Sequence, residues 1–170
     1  MPNWCDNKIV IQGNALIIKK LYDACLSEED ENLLQELRPM PKNTEDWYQW
    51  RQKNWGTKWD INPHGSPDIQ DNGDGTYTLC MSFDSAWSPP VTALIYFGKQ
   101  NPDMYIRLDY NEWGNCYCGS LEVSQGKTED QCFMYVGLSP ETIESLIGDE
   151  LDSIFGISEM ARQWEEERNN

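Results

Sequence analysis

The sequence has a single histidine, His64, and no Cys-x-x-Cys pair among its six cysteines. Zinc sites need closely spaced Cys and His ligands, so we expect no bound metal. General acid–base catalysis at neutral pH usually employs a histidine or a carboxyl group with a raised pKa, and His64 lies in a Pro/Gly segment without a recognisable nucleophile. A Gly-rich phosphate-binding motif is also missing. The sequence therefore gives no direct sign of an enzyme, and we expect no cofactor.

Basic residues are scarce, with 13 Lys and Arg against 29 Asp and Glu, and the formal net charge is −16. Such an excess of negative charge repels a phosphate backbone, so direct nucleic-acid binding is disfavoured. The same excess would attract a partner protein with a basic surface.

Long apolar runs are missing as well, since no segment approaches the length that spans a bilayer. The first residues, Met-Pro-Asn-Trp-Cys-Asp, lack the basic and apolar regions of a signal peptide. We therefore expect a cytoplasmic protein with no membrane contact and with six reduced thiols. A chain of 170 residues that is 39% hydrophobic and contains eight tryptophans is long enough for one domain with a substantial core.

The segment 55–61 (Trp-Gly-Thr-Lys-Trp-Asp-Ile) alternates in a way that predicts a half-buried strand at the centre of this core. Trp55 and Trp59 would lie on its inner face, while Lys58 and Asp60 would lie on its outer face. We expect Trp59 and Trp87 to be core residues. The polar outer face is either solvated or part of a binding groove.

Periodicity and capping patterns predict the other elements of the chain. The first part should contain a strand at 8–11, a helix from the N-cap Asn14 to Leu26 followed by an acidic exit at 27–31, a short helix at 33–37 and a helix capped by Thr44. The second part should contain a strand at 76–83 after a turn at 71–75, a helix with Ser88 as N-cap and Pro89 at its first position, and strands at 105–110, 117–123 and 132–136. Ser139-Pro140 should open a helix that Gly156 ends, and an amphipathic helix should follow from Ile157.

This order of strands and helices predicts an α+β fold, a ferredoxin-like (split βαβ) sandwich that has an antiparallel sheet with helices on one face, plus C-terminal helices. We place the ferredoxin-like domain at residues 1–137, with an aromatic insert near 42–54. Residues 138–170 form an acidic C-terminal helical extension.

Four motifs of the sequence resemble the YubB-like family of plasmid- and phage-borne proteins. They are Met-Pro-Asn-Trp-Cys at 1–5 with Asn7; Trp-Gly-Thr-Lys-Trp-Asp at 55–60; Phe83 with Ala-Trp-Ser-Pro-Pro at 86–90; and Tyr-Asn-Glu at 110–112 with Gly114 and Cys-Gly at 118–119. The resemblance implies a ferredoxin-like domain and an origin in a mobile genetic element, and it implies no catalytic residue. Its structural motif residues are Trp4, Trp55, Gly56, Trp59, Ser88 and Pro89.

We therefore expect a non-enzymatic interaction protein that binds and modulates a host or defence protein. Residues 139–170 hold nine acids against Arg162 and Arg168, so their surface is either a mimic of the DNA phosphate track or a solvated helix face. The aromatic face around Trp47, Trp50 and Trp55 is a second candidate contact. The alternative function is an enzyme or a small-molecule (nucleotide-like) binder with a groove near Lys58, Asp60 and Glu112. The candidate binding residues are Lys58, Asp60, Trp87, Tyr110, Glu112, Glu165, Glu166 and Glu167.

Overall fold

The computed structural model of the chain describes residues 3–27 and 32–169. Met1 and Pro2 of the first motif, and most of the predicted acidic exit at 27–31, lie outside the described residues. No helix within the described ranges is long and apolar enough to cross a membrane.

A single antiparallel sheet organises the fold, with the strand order β2-β3-β1-β4-β5-β6. The strands are β1 (Trp4–Asn14), β2 (Asp68–Asp71), β3 (Thr76–Ala86), β4 (Tyr105–Glu112), β5 (Tyr117–Ser124) and β6 (Lys127–Met134). Strand β1 is central because it pairs with β3 on one side and with β4 on the other. The predicted pairing of the last three strands in sequence is confirmed.

The helices are α1 (Ala15–Cys25), α2 (Leu33–Leu37), α3 (Trp47–Asn54), α4 (Val91–Gln100), α5 (Pro140–Phe155) and α6 (Ile157–Asn169). Helix α1 packs on β1 and β3, while α4 packs on β4 and β5. The order β1-α1-β2-β3-α4-β4, with β1 between β3 and β4, is the split βαβ arrangement. The predicted α+β, ferredoxin-like fold class is confirmed.

The C-terminal helices cover the opposite face of the sheet. Leu121 and Val123 of β5 belong to the main core beneath α1 and α4, whereas Cys118 belongs to a second core with Ile143 and Ile147 of α5. Residues an odd number apart on a strand point to opposite faces, so the two cores lie on the two sides of the sheet. The acidic helices are thus held by a core of their own.

Two predicted N-caps are confirmed. The Asn14 side chain accepts a hydrogen bond from the Leu16 N–H at the start of α1, and the Ser139 hydroxyl accepts one from the Thr142 N–H at the start of α5. Gly156 ends α5 in the left-handed conformation with φ 66°, as predicted, because a glycine has no Cβ to oppose that conformation.

Two other caps are wrong. Helix α3 is capped by Asp46 and not by Thr44, because the Asp46 carboxylate accepts the Gln49 N–H at 2.9 Å. Ser88 does not cap α4, which begins only at Val91. The Ser88 hydroxyl instead donates a hydrogen bond to the carbonyl of Gly56, so its partner lies in another segment of the chain.

Strand β6 begins five residues earlier than predicted, at Lys127, directly after the turn at 125–126.

The predicted central strand at 55–61 is wrong, because this segment is an irregular loop. Trp55 is the C-terminal cap of α3, and Gly56 has φ +89°, which no extended strand adopts. Of the three tryptophans Trp55, Trp59 and Trp87, only Trp55 is fully buried. Trp59 and Trp87 are 36% and 37% exposed, so the prediction that they are core residues is wrong.

Candidate functional site

A group of exposed aromatic rings surrounds the ammonium of Lys58. The Lys58 Nζ lies 4.5 Å from the ring centre of Trp59, 5.2 Å from that of Trp87 and 5.7 Å from that of Tyr48. Trp4 extends the group, with its ring centre 5.9 Å from that of Trp59. The four rings are between 36% and 47% exposed. We call these five residues the Lys58 cluster.

The cluster is assembled from segments far apart in the sequence. Trp4 is the first residue of β1, Tyr48 lies in α3, Lys58 and Trp59 lie in the loop after α3, and Trp87 follows β3. Residues Trp4 and Ala86 are paired across β1 and β3, which brings the Trp87 segment beside the start of β1. The β1–β3 register therefore brings two of the four rings, Trp4 and Trp87, to the same end of the sheet.

The backbone of Trp87 has φ 67°, an unusual value for a bulky residue and one that costs about 1–3 kcal/mol. Hydrogen bonds hold both sides of this residue. Its N–H donates to the Asn3 carbonyl at 2.9 Å, and its carbonyl accepts the Tyr117 hydroxyl at 2.7 Å. The surrounding structure thus keeps the indole ring in an exposed position at an energetic cost.

The two segments that carry most of the cluster are joined by close contacts, which involve Gly56, Ser88 and Pro89 of the family-like motifs. A Cβ atom on Gly56 would lie 3.1 Å from the Pro89 carbonyl oxygen, which is closer than side chains normally approach. The Thr57 hydroxyl donates to the Ala86 carbonyl at 2.9 Å, next to the bond between Ser88 and Gly56. These contacts join the loop that carries Lys58 and Trp59 to the segment that carries Trp87.

Asp60, a predicted binding residue, has a structural role. Its carboxylate accepts the backbone N–H groups of Asn32, Leu34 and Gln35 at 3.0, 2.7 and 2.9 Å, at the start of α2. It also accepts its neighbour Ile61 N–H at 2.8 Å. Burial raises the pKa of this carboxyl, and the four N–H donors oppose that shift.

Glu112 and Tyr110 are also buried, with 0% and 3% of their surface exposed. The Glu112 carboxylate accepts the backbone N–H groups of Gly114 and Asn115 at 2.7 and 2.8 Å and so orders the turn between β4 and β5. The Tyr110 hydroxyl donates to the Gln131 carbonyl at 3.4 Å. The groove near Lys58, Asp60 and Glu112 stays a prediction, although both carboxylates accept backbone N–H groups, at the start of α2 and in the β4–β5 turn.

A second feature is a cavity of about 630 Å³ between the segment after β6 and the helices α5 and α6, which we call the C-terminal cavity. Glu165 and Glu167 line it, whereas the third predicted acid, Glu166, does not. The complete lining comprises Cys116, Tyr135, Gly137, Leu138, Ile143, Ala161, Trp164, Glu165, Glu167 and Arg168.

A third group, which sequence reasoning missed, joins Asp6, Asp84 and His64 beside a smaller cavity of about 350 Å³ that Lys8 also lines. Asp6 and Asp84 are opposite each other in the β1–β3 pair, and His64 Nε2 lies 3.1 Å from Asp84 Oδ2. The indole N–H of Trp113 donates to Asp6 Oδ2 at 2.9 Å. Only the strand register reveals the carboxylate pair, and that register cannot be read from the local sequence.

The pair predicts a specific pH dependence of stability. Burial, and then the neighbouring Asp84, raise the pKa of Asp6, while the Trp113 hydrogen bond lowers it. A raised native pKa means that the contribution of Asp6 to stability is complete below its unfolded pKa of about 3.9 and is lost as the pH rises through the native value. We expect Asp84→Asn to reduce this loss. Urea denaturation at several pH values between about 4 and 7 measures how the free energy of unfolding changes with pH. Asp68→Asn, at an exposed position, is the control. An equal pH slope in wild type and Asp84→Asn would contradict the pairing.

The fold and these surfaces define an extended ferredoxin-like α+β domain. Residues 55–145 match the family model described as the ferredoxin-like domain in Api92-like protein. The matched range includes Lys58, Trp59 and Trp87. The match covers more than half of the chain, so the chain belongs to the family of Api92-like proteins.

A solved structure supports the same fold. The crystal structure of a protein api92 from Yersinia pseudotuberculosis superposes with a TM-score of 0.51 at 10% sequence identity, over 77% of this chain and 98% of that chain. At such low identity the similarity concerns the fold alone. A search of curated proteins found no match.

Proposed function

We propose that this protein is a non-enzymatic interaction protein of a mobile genetic element that binds and modulates a host or defence protein. The resemblance to the YubB-like family supports the origin in a plasmid or phage. The observation that carries the interaction is the Lys58 cluster, in which three exposed aromatic rings surround one ammonium group and Trp87 has a strained backbone.

Exposed aromatic clusters are typical of protein interfaces. Tryptophan and tyrosine are enriched among the interface residues that contribute most to affinity, because large rigid rings lose water at a small entropic cost. A single exposed tryptophan would need no such explanation, but four neighbouring rings form a continuous patch. The cluster therefore supports protein binding.

The alternative of a nucleotide-like ligand has less support. Its proposed groove required Asp60 and Glu112, and their carboxylates already accept backbone N–H groups of α2 and of the β4–β5 turn. Lys58 is the remaining charged group of that set; it is half-buried, and aromatic rings surround its ammonium. The geometry supports an aromatic contact better than a carboxylate-lined pocket.

The test is affinity capture from host lysate with Trp59→Ala as the main variant. We expect wild type to enrich a protein that Trp59→Ala does not, and Trp59→Ala to raise the off-rate of the recovered partner about tenfold. Tyr96→Ala is the matched control, because Tyr96 is 39% exposed but packs on Arg38, outside the cluster. Equal capture and equal off-rates for all three proteins would contradict the proposal.

Salt separates this contact from the acidic surface on α6. If the interface is centred on Trp59, the affinity for the partner should change little between low and high salt. If it is a surface that mimics DNA phosphates, the affinity should fall steeply as the salt concentration rises. We also expect simultaneous reversal of Glu165, Glu166 and Glu167 to lysine to leave the association rate unchanged. A strongly reduced association rate would instead identify the acidic helix as the contact.

A further inference from the structure

The C-terminal cavity has an apolar interior. The deepest part of its lining is formed by Tyr135 and Ile143, which are almost fully buried, and by Ala161, which is 9% exposed. Trp164 and Leu138 lie nearer the surface, at 38% and 36% exposure. Cavities of about 300–1,000 Å³ are of the size that holds a small ligand or a large side chain.

The helices around the cavity form a stable frame. Gly156 allows a tight turn between α5 and α6, and the two helices share the second core on the outer face of the sheet. The Trp164 ring makes an edge contact with Trp113, with ring centres 5.9 Å apart, which fixes one wall of the cavity to the β4–β5 turn. The cavity is therefore a feature of the packed fold and not of a single loop.

The charges at the rim are mostly acidic. Glu165 and Glu167 line the cavity, and neither has an ion-pair partner within residues 3–27 and 32–169. Of the two basic residues in this part of the chain, Arg162 pairs with Glu144 and Glu159, and the Arg168 Nε donates to the Trp164 carbonyl at 3.3 Å. The rim therefore offers two carboxylates to a cationic group beside an apolar interior.

We propose that the C-terminal cavity binds a short segment of a partner protein that carries one large apolar side chain flanked by lysine or arginine. The apolar side chain fills the space between Leu138, Ala161 and Trp164. The flanking cations pair with Glu165 and Glu167, where partial exclusion of water strengthens the attraction. This site is separate from the Lys58 cluster, so it does not depend on the function proposed above.

The test uses fluorescein-labelled, end-blocked peptides and fluorescence polarisation with the full chain. We expect the peptide Lys-Lys-Phe-Lys-Lys to bind saturably with a Kd below about 100 µM at low salt. Its counterparts Glu-Glu-Phe-Glu-Glu and Lys-Lys-Ser-Lys-Lys should bind about tenfold more weakly, because one lacks the cations and the other lacks the apolar side chain.

Charge variants distinguish binding at the cavity from a general attraction of basic peptides to this acidic protein. We expect the double variant Glu165→Lys and Glu167→Lys to weaken binding of the basic Phe peptide about tenfold. The control is Asp103→Lys with Asp149→Lys, which changes the net charge equally at two exposed positions that do not line the cavity. This control should weaken binding by less than about threefold, because Coulomb attraction falls with distance and neither position lines the cavity.

Two further variants fill or block the interior. Ala161→Phe should occupy the cavity and abolish saturable binding. Because Ala161 is nearly buried, Leu138→Arg serves as the second variant, since Leu138 tolerates a larger side chain at the surface. Trp59→Ala should bind the peptide as wild type does. Absence of saturable binding to wild type, equal binding of the Ser peptide, equal weakening by the control pair, or undiminished binding by folded Leu138→Arg would each overturn the proposal.

Discussion

Trp55→Ala is expected to lower the free energy of unfolding by about 3–5 kcal/mol, the range for removing a large aromatic side chain from a core. Trp55 is fully buried, and its indole N–H donates to the Arg38 carbonyl at 2.8 Å. Its ring also makes an edge contact with Trp50 and lies beneath the guanidinium of Arg51. Alanine would leave both a cavity and an unpaired carbonyl.

Trp59→Ala is the matched control for this experiment. Trp59 has the same side chain four residues later but is 36% exposed, so we expect a loss below about 1 kcal/mol. Urea denaturation of both variants measures the difference. Similar losses for the two variants would contradict the assignment of Trp55 as the only core tryptophan of this loop.

Asp60→Ala is expected to destabilise the protein by about 3 kcal/mol, because it removes the acceptor of several backbone N–H groups and leaves them unpaired at the start of α2. The carboxylate accepts hydrogen bonds from Asn32, Leu34 and Gln35 and so joins the loop after α3 to that helix. The reason for the expected loss is structural, although sequence reasoning placed Asp60 among the binding residues.

Asp68→Ala provides the comparison, since Asp68 is an exposed acid on the edge strand β2. We expect a change of less than about 0.5 kcal/mol for it, as for most surface substitutions. Asp60→Asn should fall between the two, because its amide has one oxygen acceptor where the carboxylate has two. Thermal or urea denaturation measures all three. An Asp60→Ala loss no larger than that of Asp68→Ala would show that the contacts at α2 contribute little.

The sequence by itself determined the elements whose signals are local. Asn14 and Ser139 cap helices through hydrogen bonds to residues two or three positions away, and Gly156 ends α5 through its own backbone freedom. The alternation of apolar residues in β3 predicts its buried face, with Leu79 and Phe83 fully buried. From these elements in order, the ferredoxin-like fold class follows without tertiary information.

Tertiary structure decided the features that depend on distant partners. The alternation at 55–61 is typical of a strand, but Asp60 finds its donors in α2 and Ser88 donates to Gly56, so both segments fold as irregular connections. The Asp6–Asp84 pair exists only because of the β1–β3 register. Tertiary contacts also decide which tryptophans are buried. The segments that carry Trp59 and Trp87 are held by hydrogen bonds between residues more than 25 positions apart in the sequence.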